Sequence, residues 1–101
     1  MAFVRVAFVK DLEPGRMVGV EAGGKEIVLA NLEGEYYAIG NRCTHMSCIL
    51  SNGTLSGGNV TCPCHGSTFD VKTGSVVKGP AKKPEPAYQT KTEGEQILVN
   101  V

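Results

Sequence analysis

The sequence has no tryptophan, only three tyrosines and three phenylalanines, and no apolar run of the roughly 18 residues that a membrane span requires. The core must therefore consist mainly of aliphatic side chains. Arg5, Lys10 and Asp11 interrupt the N-terminal apolar segment, which is thus neither a signal peptide nor a membrane anchor. We therefore expect a soluble protein without a membrane span, located in the cytoplasm.

The chain also has no net charge, because ten basic side chains balance ten acidic ones. This balance argues against nucleic acid or an anionic membrane as the main partner. The charge is unevenly distributed, since residues 41–84 carry five basic side chains and one acidic side chain, a balance of +4. Within this segment Lys78, Lys82 and Lys83 are the expected basic docking surface for acidic partner proteins, and an ordinary solvated face is the alternative.

Short stretches rich in β-branched and aromatic residues, separated by glycine-containing turns, predict an all-β fold with little or no helix. From its length, we expect the chain to form one domain over residues 1–101. Strands are predicted at the positions 3–9, 17–21, 26–32 and 35–39, as an antiparallel meander, and at 88–92 and 96–101, as a hairpin. Between them, residues 41–84 hold all four cysteines and both histidines, with only brief strand candidates at 60–62 and 69–71, and predict a loop-rich subdomain inserted in a β base.

Two short segments of this insert each offer a thiolate and an imidazole. Cys43 and His45 are separated by one residue, whereas Cys62 and His65 are separated by two. Neither pair can saturate a metal alone, so two loops must converge. The residues alone leave three interpretations open, namely buried thiols with hydrogen-bonded histidines, a tetrahedral zinc site, and a 2Fe-2S cluster with mixed ligands.

The segments CTHMSC (43–48) and CPCHGS (62–67) resemble the two cluster-binding boxes of the Rieske family. Phe69-Asp70, followed by Gly74, is similar to the hairpin after the second box, and Gly79-Pro80 is similar to the start of the proline loop over the cluster. The resemblance implies a Rieske-type antiparallel β-sandwich or barrel with a cluster-binding subdomain. It further implies one 2Fe-2S cluster, with two thiolate ligands on one iron and two imidazole ligands on the other, held by Cys43, Cys62, His45 and His65.

The same resemblance assigns roles to residues beside the ligands. Cysteines at the positions of Cys48 and Cys64 form a disulfide in respiratory and photosynthetic members, whereas ferredoxins of aromatic-ring dioxygenases usually lack them. Two reduced thiols are the alternative; a disulfide would indicate an oxidising compartment or a thermophilic source. Ser67 fits the high-potential branch, in which a serine hydroxyl donates to a cluster sulfur. Phe69 stands where that branch has a tyrosine, so one hydrogen bond is missing.

The implied function is that of a monomeric one-electron carrier between a reductase and a terminal oxygenase or another redox acceptor. The alternative is a soluble domain or subunit of a respiratory-type quinol-oxidising complex or another oxidoreductase. The chain is not expected to be an enzyme itself. Both of its histidines are already used, so no mononuclear iron site with two histidines and a carboxylate can be assembled.

Overall fold

The computed structural model of the protein describes residues 2–43, 48–64, 66–79 and 81–101. Eleven strands lie in these residues, and every pairing between them is antiparallel. The strands are β1 (Phe3–Phe8), β2 (Met17–Ala22), β3 (Lys25–Leu32), β4 (Glu35–Gly40), β5 (Thr54–Ser56), β6 (Asn59–Thr61), β7 (Thr68–Asp70), β8 (Val76–Lys78), β9 (Ala87–Tyr88), β10 (Thr90–Glu93) and β11 (Gln96–Asn100). The predicted all-β fold is confirmed.

Two sheets form the base of the molecule, one with the strand order β2-β3-β4-β9 and one with the order β1-β11-β10. Strand β3 is buried on both faces, because four successive apolar residues, Ile27 to Ala30, have no exposed surface. Ile27 and Leu29 pack with β11 residues in one core, whereas Val28 and Ala30 pack in a second core with both free cysteines. Strand β3 therefore separates the core of the base from the core beneath the cysteine loops.

The predicted meander is correct for β2, β3 and β4 but wrong for β1. Strand β1 pairs with β11 near the other end of the chain, with Phe3 opposite Asn100 and Phe8 opposite Gln96. A short 3-10 helix at Val9–Asp11 and the following loop separate β1 from β2. A local apolar pattern identifies a strand but not its distant partner, and this is the physical reason for the error.

The segment that carries the cysteines contains the third sheet, with the strand order β5-β6-β7-β8. Val60 of β6 and Phe69 of β7 are fully buried and lie directly opposite each other. The strands predicted at 60–62 and 69–71 correspond to β6 and β7, shifted by one residue. Strands β5 and β8 were not predicted.

Helical structure in the described residues is limited to two 3-10 turns, at Val9–Asp11 and at Leu50–Asn52. The second turn places Leu50, which is fully buried, in the core beneath the cysteine loops. Across the four described stretches, no helix has the length and apolar character needed to cross a bilayer.

Candidate metal centre

The first cysteine loop begins where β4 ends, and Asn41 fixes its course. The Asn41 N–H donates to the Glu26 carbonyl at 3.0 Å, which continues the pairing of β4 with β3. The buried Asn41 side chain accepts from the Ser51 N–H at 2.8 Å and donates to the Ser51 hydroxyl at 3.0 Å. The Leu50 N–H donates to the Asn41 carbonyl at 2.8 Å. Both ends of the loop are thereby held by one residue.

Cys43 lies inside this loop and is only 2% exposed. Its N–H donates to the carbonyl of Cys48 at 2.8 Å, and an isolated antiparallel bridge joins Arg42 to Ile49, so Cys43 and Cys48 are held side by side. The predicted ligand His45 is one of residues 44–47, which lie outside the described residues.

The second cysteine loop is a tight turn between β6 and β7. The Cys62 N–H donates to the Ser67 carbonyl at 2.7 Å, and the Gly66 N–H donates back to the Cys62 carbonyl at 3.2 Å. Gly66 has a φ of 78°, a conformation that a residue without a Cβ adopts without strain. Cys62 is 2% exposed, like Cys43. The predicted ligand His65 lies outside the described residues.

A disulfide between Cys48 and Cys64 ties the two loops together, with a Cα–Cα distance of 6.4 Å. Cys43 and Cys62 remain as free, buried cysteines. The sulfur of Cys62 lies within 4.8 Å of both bridged sulfurs. Because bridged sulfurs offer no thiolate, Cys48, Cys62 and Cys64 together are not a metal-binding set. The donors that the described part of these loops presents are the thiols of Cys43 and Cys62.

Gly53 allows the two loops to approach each other closely. A Cβ atom at this position would overlap the carbonyl oxygen of Thr61, the residue before Cys62. The Gly53 N–H also donates to the Leu50 carbonyl at 2.9 Å, which closes the 3-10 turn after the first loop. Sequence reasoning did not single out Gly53, since many of the glycines in this chain occupy ordinary turns. A close backbone contact between distant segments leaves no local signal.

A third segment, after β8, is held against the second loop by a buried hydrogen bond. The Ala81 N–H donates to the hydroxyl oxygen of Ser67 at 3.0 Å, and both residues are buried. Gly79, at the start of this segment, is exposed, and Pro80 lies outside the described residues. Phe69 is fully buried in the core that contains both free cysteines. Ala81 was not predicted as part of the site, because alanine carries no chemical signal.

Charged side chains lie at the edges of the site. Arg42, next to Cys43, pairs with Glu26 through its Nε and, at 3.0 Å, through Nη2. Hydrogen bonding by the Arg42 guanidinium holds the pKa of Glu26 below its usual value, and the Glu26 carboxylate raises the pKa of Arg42. Lys78, Lys82 and Lys83, the predicted basic surface, are all exposed.

The donor set fits a metal cluster that prefers soft ligands. Two thiols from separate loops are buried in one apolar core, and a disulfide limits how far those loops can separate. Thiolates favour zinc, copper(I) and iron–sulfur centres over hard cations such as magnesium. The two buried thiols in the described part of these loops therefore fit a thiolate-bound metal centre.

Comparison with protein families and known proteins narrows the choice of metal centre further. The model of a family described as the Rieske [2Fe-2S] domain matches residues 2–95. The chain is 37% identical over 99 residues to the ferredoxin component of naphthalene 1,2-dioxygenase/salicylate 5-hydroxylase systems from a Ralstonia species. This match covers 98% of the chain and 95% of that relative.

Solved structures give the same result. The ferredoxin of carbazole 1,9a-dioxygenase from Nocardioides aromaticivorans IC177 superposes with a TM-score of 0.94 at 33% identity, covering 98% of this chain and 97% of that one. A chain in a complex of reduced oxygenase and oxidised ferredoxin of carbazole 1,9a-dioxygenase superposes with a TM-score of 0.91 at 28% identity. That match covers 96% of this chain and 91% of the other.

Proposed function

Because the chain belongs to the Rieske [2Fe-2S] family, we propose that it carries single electrons from a reductase to a terminal oxygenase. A domain of this family holds one 2Fe-2S cluster. The observation that carries the proposal is the near-complete match to ferredoxin components of dioxygenase systems, in sequence and in structure. These relatives are electron carriers rather than catalysts, and so is this chain.

The ligands follow from the two boxes. Cys43 and Cys62 would bind one iron through their thiolates, while His45 and His65 would bind the other through their imidazoles. The burial of both free cysteines in one core supports the first half of this assignment. The histidine half depends on the family motif. When bound, such a cluster accepts and releases one electron at a potential of roughly −150 to +300 mV, because two neutral ligands replace two thiolates.

The residues around the ligands have their own tasks. The two buried cysteines exclude water from the thiolate side of the site, and the Cys48–Cys64 disulfide keeps the loops together. The Ser67 oxygen already accepts from Ala81, so its hydroxyl hydrogen is free to donate to a cluster sulfur. Such a donor stabilises the reduced, more negative state and raises the potential.

The proposal includes a monomer that acts in the cytoplasm and docks through Lys78, Lys82 and Lys83. The exposure of these three lysines and the +4 balance of residues 41–84 support the docking surface. A ferredoxin related to this chain has been captured with its oxygenase, which is the kind of complex we expect. We further propose that residues 41–84 act as the cluster-binding subdomain of a single domain spanning residues 1–101.

The test begins with the purified protein, which should be red-brown, contain two irons and two sulfides per chain, and show the spectroscopic signature of a Rieske centre after reduction. Cys43→Ser should abolish the colour. The double variant Cys48→Ser/Cys64→Ser, which leaves all four ligands in place, should retain it. A colourless protein that contains zinc would contradict the proposal. Electron transfer from a flavin reductase to an aromatic-ring oxygenase then tests the carrier role directly.

The Cys48–Cys64 disulfide favours a second candidate, a subunit of a respiratory-type oxidoreductase complex, since this bridge is the feature that resembles that branch. The reduction potential distinguishes this candidate from the dioxygenase-type electron carrier. A value near the top of the Rieske range fits quinol oxidation, whereas a value near its lower end fits a dioxygenase system.

A further inference from the structure

We propose that Cys48, Cys62 and Cys64 form a thiol–disulfide exchange site. In this site the Cys62 thiolate displaces Cys64 from its bond with Cys48 whenever Cys62 is not engaged as an iron ligand. The inference depends on the proposed function, because it takes Cys62 as one of the cluster ligands. It adds a redox activity of the protein's own sulfur atoms to the one-electron chemistry proposed above.

The geometry of the three sulfurs carries the inference. One free thiol, that of Cys62, lies within 4.8 Å of both atoms of an existing disulfide. Exchange requires a thiolate to reach a bridged sulfur along the S–S axis, and its rate depends on access and on the leaving thiol. Here the attacking sulfur lies within 4.8 Å of the Cys48 sulfur before any movement of the loops.

The exposure of the two bridged cysteines decides which sulfur is attacked and which one leaves, since the Cys48–Cys64 bond breaks in either case. Cys64 is exposed and Cys48 is half-buried, so water stabilises a departing Cys64 thiolate better than a departing Cys48 thiolate. Attack on Cys64 instead would close a bridge across the single residue Pro63, whose ring restricts the backbone between the two cysteines. The expected product is therefore a Cys48–Cys62 disulfide with a free Cys64.

The step balances without an external oxidant or reductant. The Cys62 thiol gives up its proton by way of water at the exposed Cys64, and its sulfur forms a bond to the sulfur of Cys48. The Cys48–Cys64 bond breaks, and Cys64 leaves with the bonding electron pair and takes up a proton from water. The chain has two thiols and one disulfide before and after the step.

The exchange has a consequence for the ligand set. With Cys62 held in a disulfide, the chain offers the thiolate of Cys43 alone at the ligand positions and cannot rebuild the site. A dithiol reductant would open the new bridge and restore Cys62. Loss of the metal thus leads to a Cys48–Cys62 disulfide. A cellular dithiol reductant reduces this bond and restores the ligand.

The test maps free thiols in cluster-loaded protein and in the same protein after removal of iron by a chelator without any thiol reagent. Samples are denatured in excess N-ethylmaleimide at mildly acidic pH and digested with trypsin and chymotrypsin. Cleavage after Leu50 and Leu55 places Cys43 and Cys48 on one peptide and Cys62 and Cys64 on another. Fragmentation at Pro63 then locates the label on the second peptide.

In loaded protein we expect label on Cys43 and Cys62. After iron removal, label should leave Cys62 and appear in equal amount on Cys64, while Cys43 stays labelled and the total remains two per chain. Cys43 is the internal control, because it is also free and buried but its sulfur is not in the close group. Unchanged labelling of Cys62 after iron removal would overturn the inference, as would bridges that involve Cys43 as often as Cys62.

The variant Cys43→Ala gives a second arm, since it cannot hold the cluster yet retains all three exchanging sulfurs. It should contain the Cys48–Cys62 bridge as purified, with its β-sheet circular dichroism intact, and Cys64 should carry the label. Label on Cys62 in that folded variant would overturn the inference. The two proposals fail differently, because a colourless wild-type protein without iron contradicts the cluster, whereas a red-brown protein without exchange contradicts only the sulfur site.

Discussion

The buried hydroxyl oxygen of Ser67 accepts a 3.0 Å hydrogen bond from the backbone N–H of Ala81, fourteen residues further along the chain. This contact fastens the segment after β8 to the turn that carries Cys62. One hydroxyl group thereby serves two purposes in the proposed site, since its oxygen holds a loop and its hydrogen is free to act on the cluster.

Replacing Ser67 by alanine should change both properties. The Ala81 N–H loses its buried acceptor, which should cost about 1–3 kcal/mol of unfolding free energy. The potential should also fall, by roughly 40 mV for each kcal/mol by which the lost hydrogen bond favours the reduced state. Denaturant titration and voltammetry measure the two effects. Ser56→Ala, at an exposed position of β5, is the matched control, and an unaltered potential in Ser67→Ala would contradict the electronic role.

Phe69 offers the opposite change. It is fully buried in the core that holds both free cysteines, and a tyrosine would add one hydroxyl there. We expect Phe69→Tyr to raise the potential, because the added hydroxyl should donate to a ligating sulfur. Voltammetry on the folded variant is the measurement. A potential equal to wild type, combined with lower stability, would show that the hydroxyl finds no acceptor in the core.

One pair of substitutions can distinguish the roles of the two cores on either side of the base sheet. Ile27 and Ile39 are both fully buried, but Ile27 packs in the core with β11 and Ile39 in the core with the cysteines. Each Ile→Val change should cost about 0.5–1.5 kcal/mol. Only Ile39→Val should also speed the bleaching of the visible spectrum under a chelator. Equal bleaching rates in the two variants would argue against separate roles for the cores.

The ion pair next to the first box predicts a pH dependence. Hydrogen bonding from Arg42 lowers the pKa of Glu26. A carboxyl whose pKa is lower in the folded than in the unfolded protein adds stability above the unfolded value and loses it as pH falls through the folded value. The effect is small, since the pair is exposed. Glu26→Gln should therefore be slightly less stable than wild type at neutral pH.

That difference should shrink as pH falls and vanish once the pH is below the lowered pKa of Glu26, because the carboxyl is then protonated in the wild type as well. Denaturant midpoints at a series of pH values provide the comparison. Glu95→Gln, at an exposed turn, is the control and should follow wild type throughout. A gap between Glu26→Gln and wild type that stays constant down to low pH would assign the effect to packing rather than to charge.

The basic surface predicts a dependence on ionic strength. Reversing charge in Lys78→Glu or Lys82→Glu should slow electron transfer to an oxygenase roughly tenfold at low salt, with a smaller loss at high salt. Lys10→Glu reverses an equally exposed lysine on the 3-10 turn of the base and should have little effect. Stopped-flow rates across a salt series measure this. Equal electron-transfer rates of the wild type at low and high salt would contradict a docking role for this basic surface.

The sequence predicted what depends on local pattern and on chemistry. Most strands fall in this class, because alternation and turn residues are local features of the sequence. The pairing of Cys48 with Cys64, which the structure confirms, was implied by the family resemblance rather than by local pattern. The contacts that assemble the site were not predicted. Gly53 against Thr61 and Ser67 against Ala81 join segments that are apart in the chain, and neither glycine nor alanine carries a signal for such a contact.

Strand β3 is the element whose amide hydrogens should be the last to exchange as the protein unfolds. It pairs along its length with β2 and with β4, and residues 27–30 have no exposed surface on either face. Its central amide hydrogens can exchange with deuterium only when the base sheet and the cysteine-loop core give way together. The slowest-exchanging amides should therefore lie in β3 and report global unfolding, with or without metal, while the exposed Cys64 turn exchanges early.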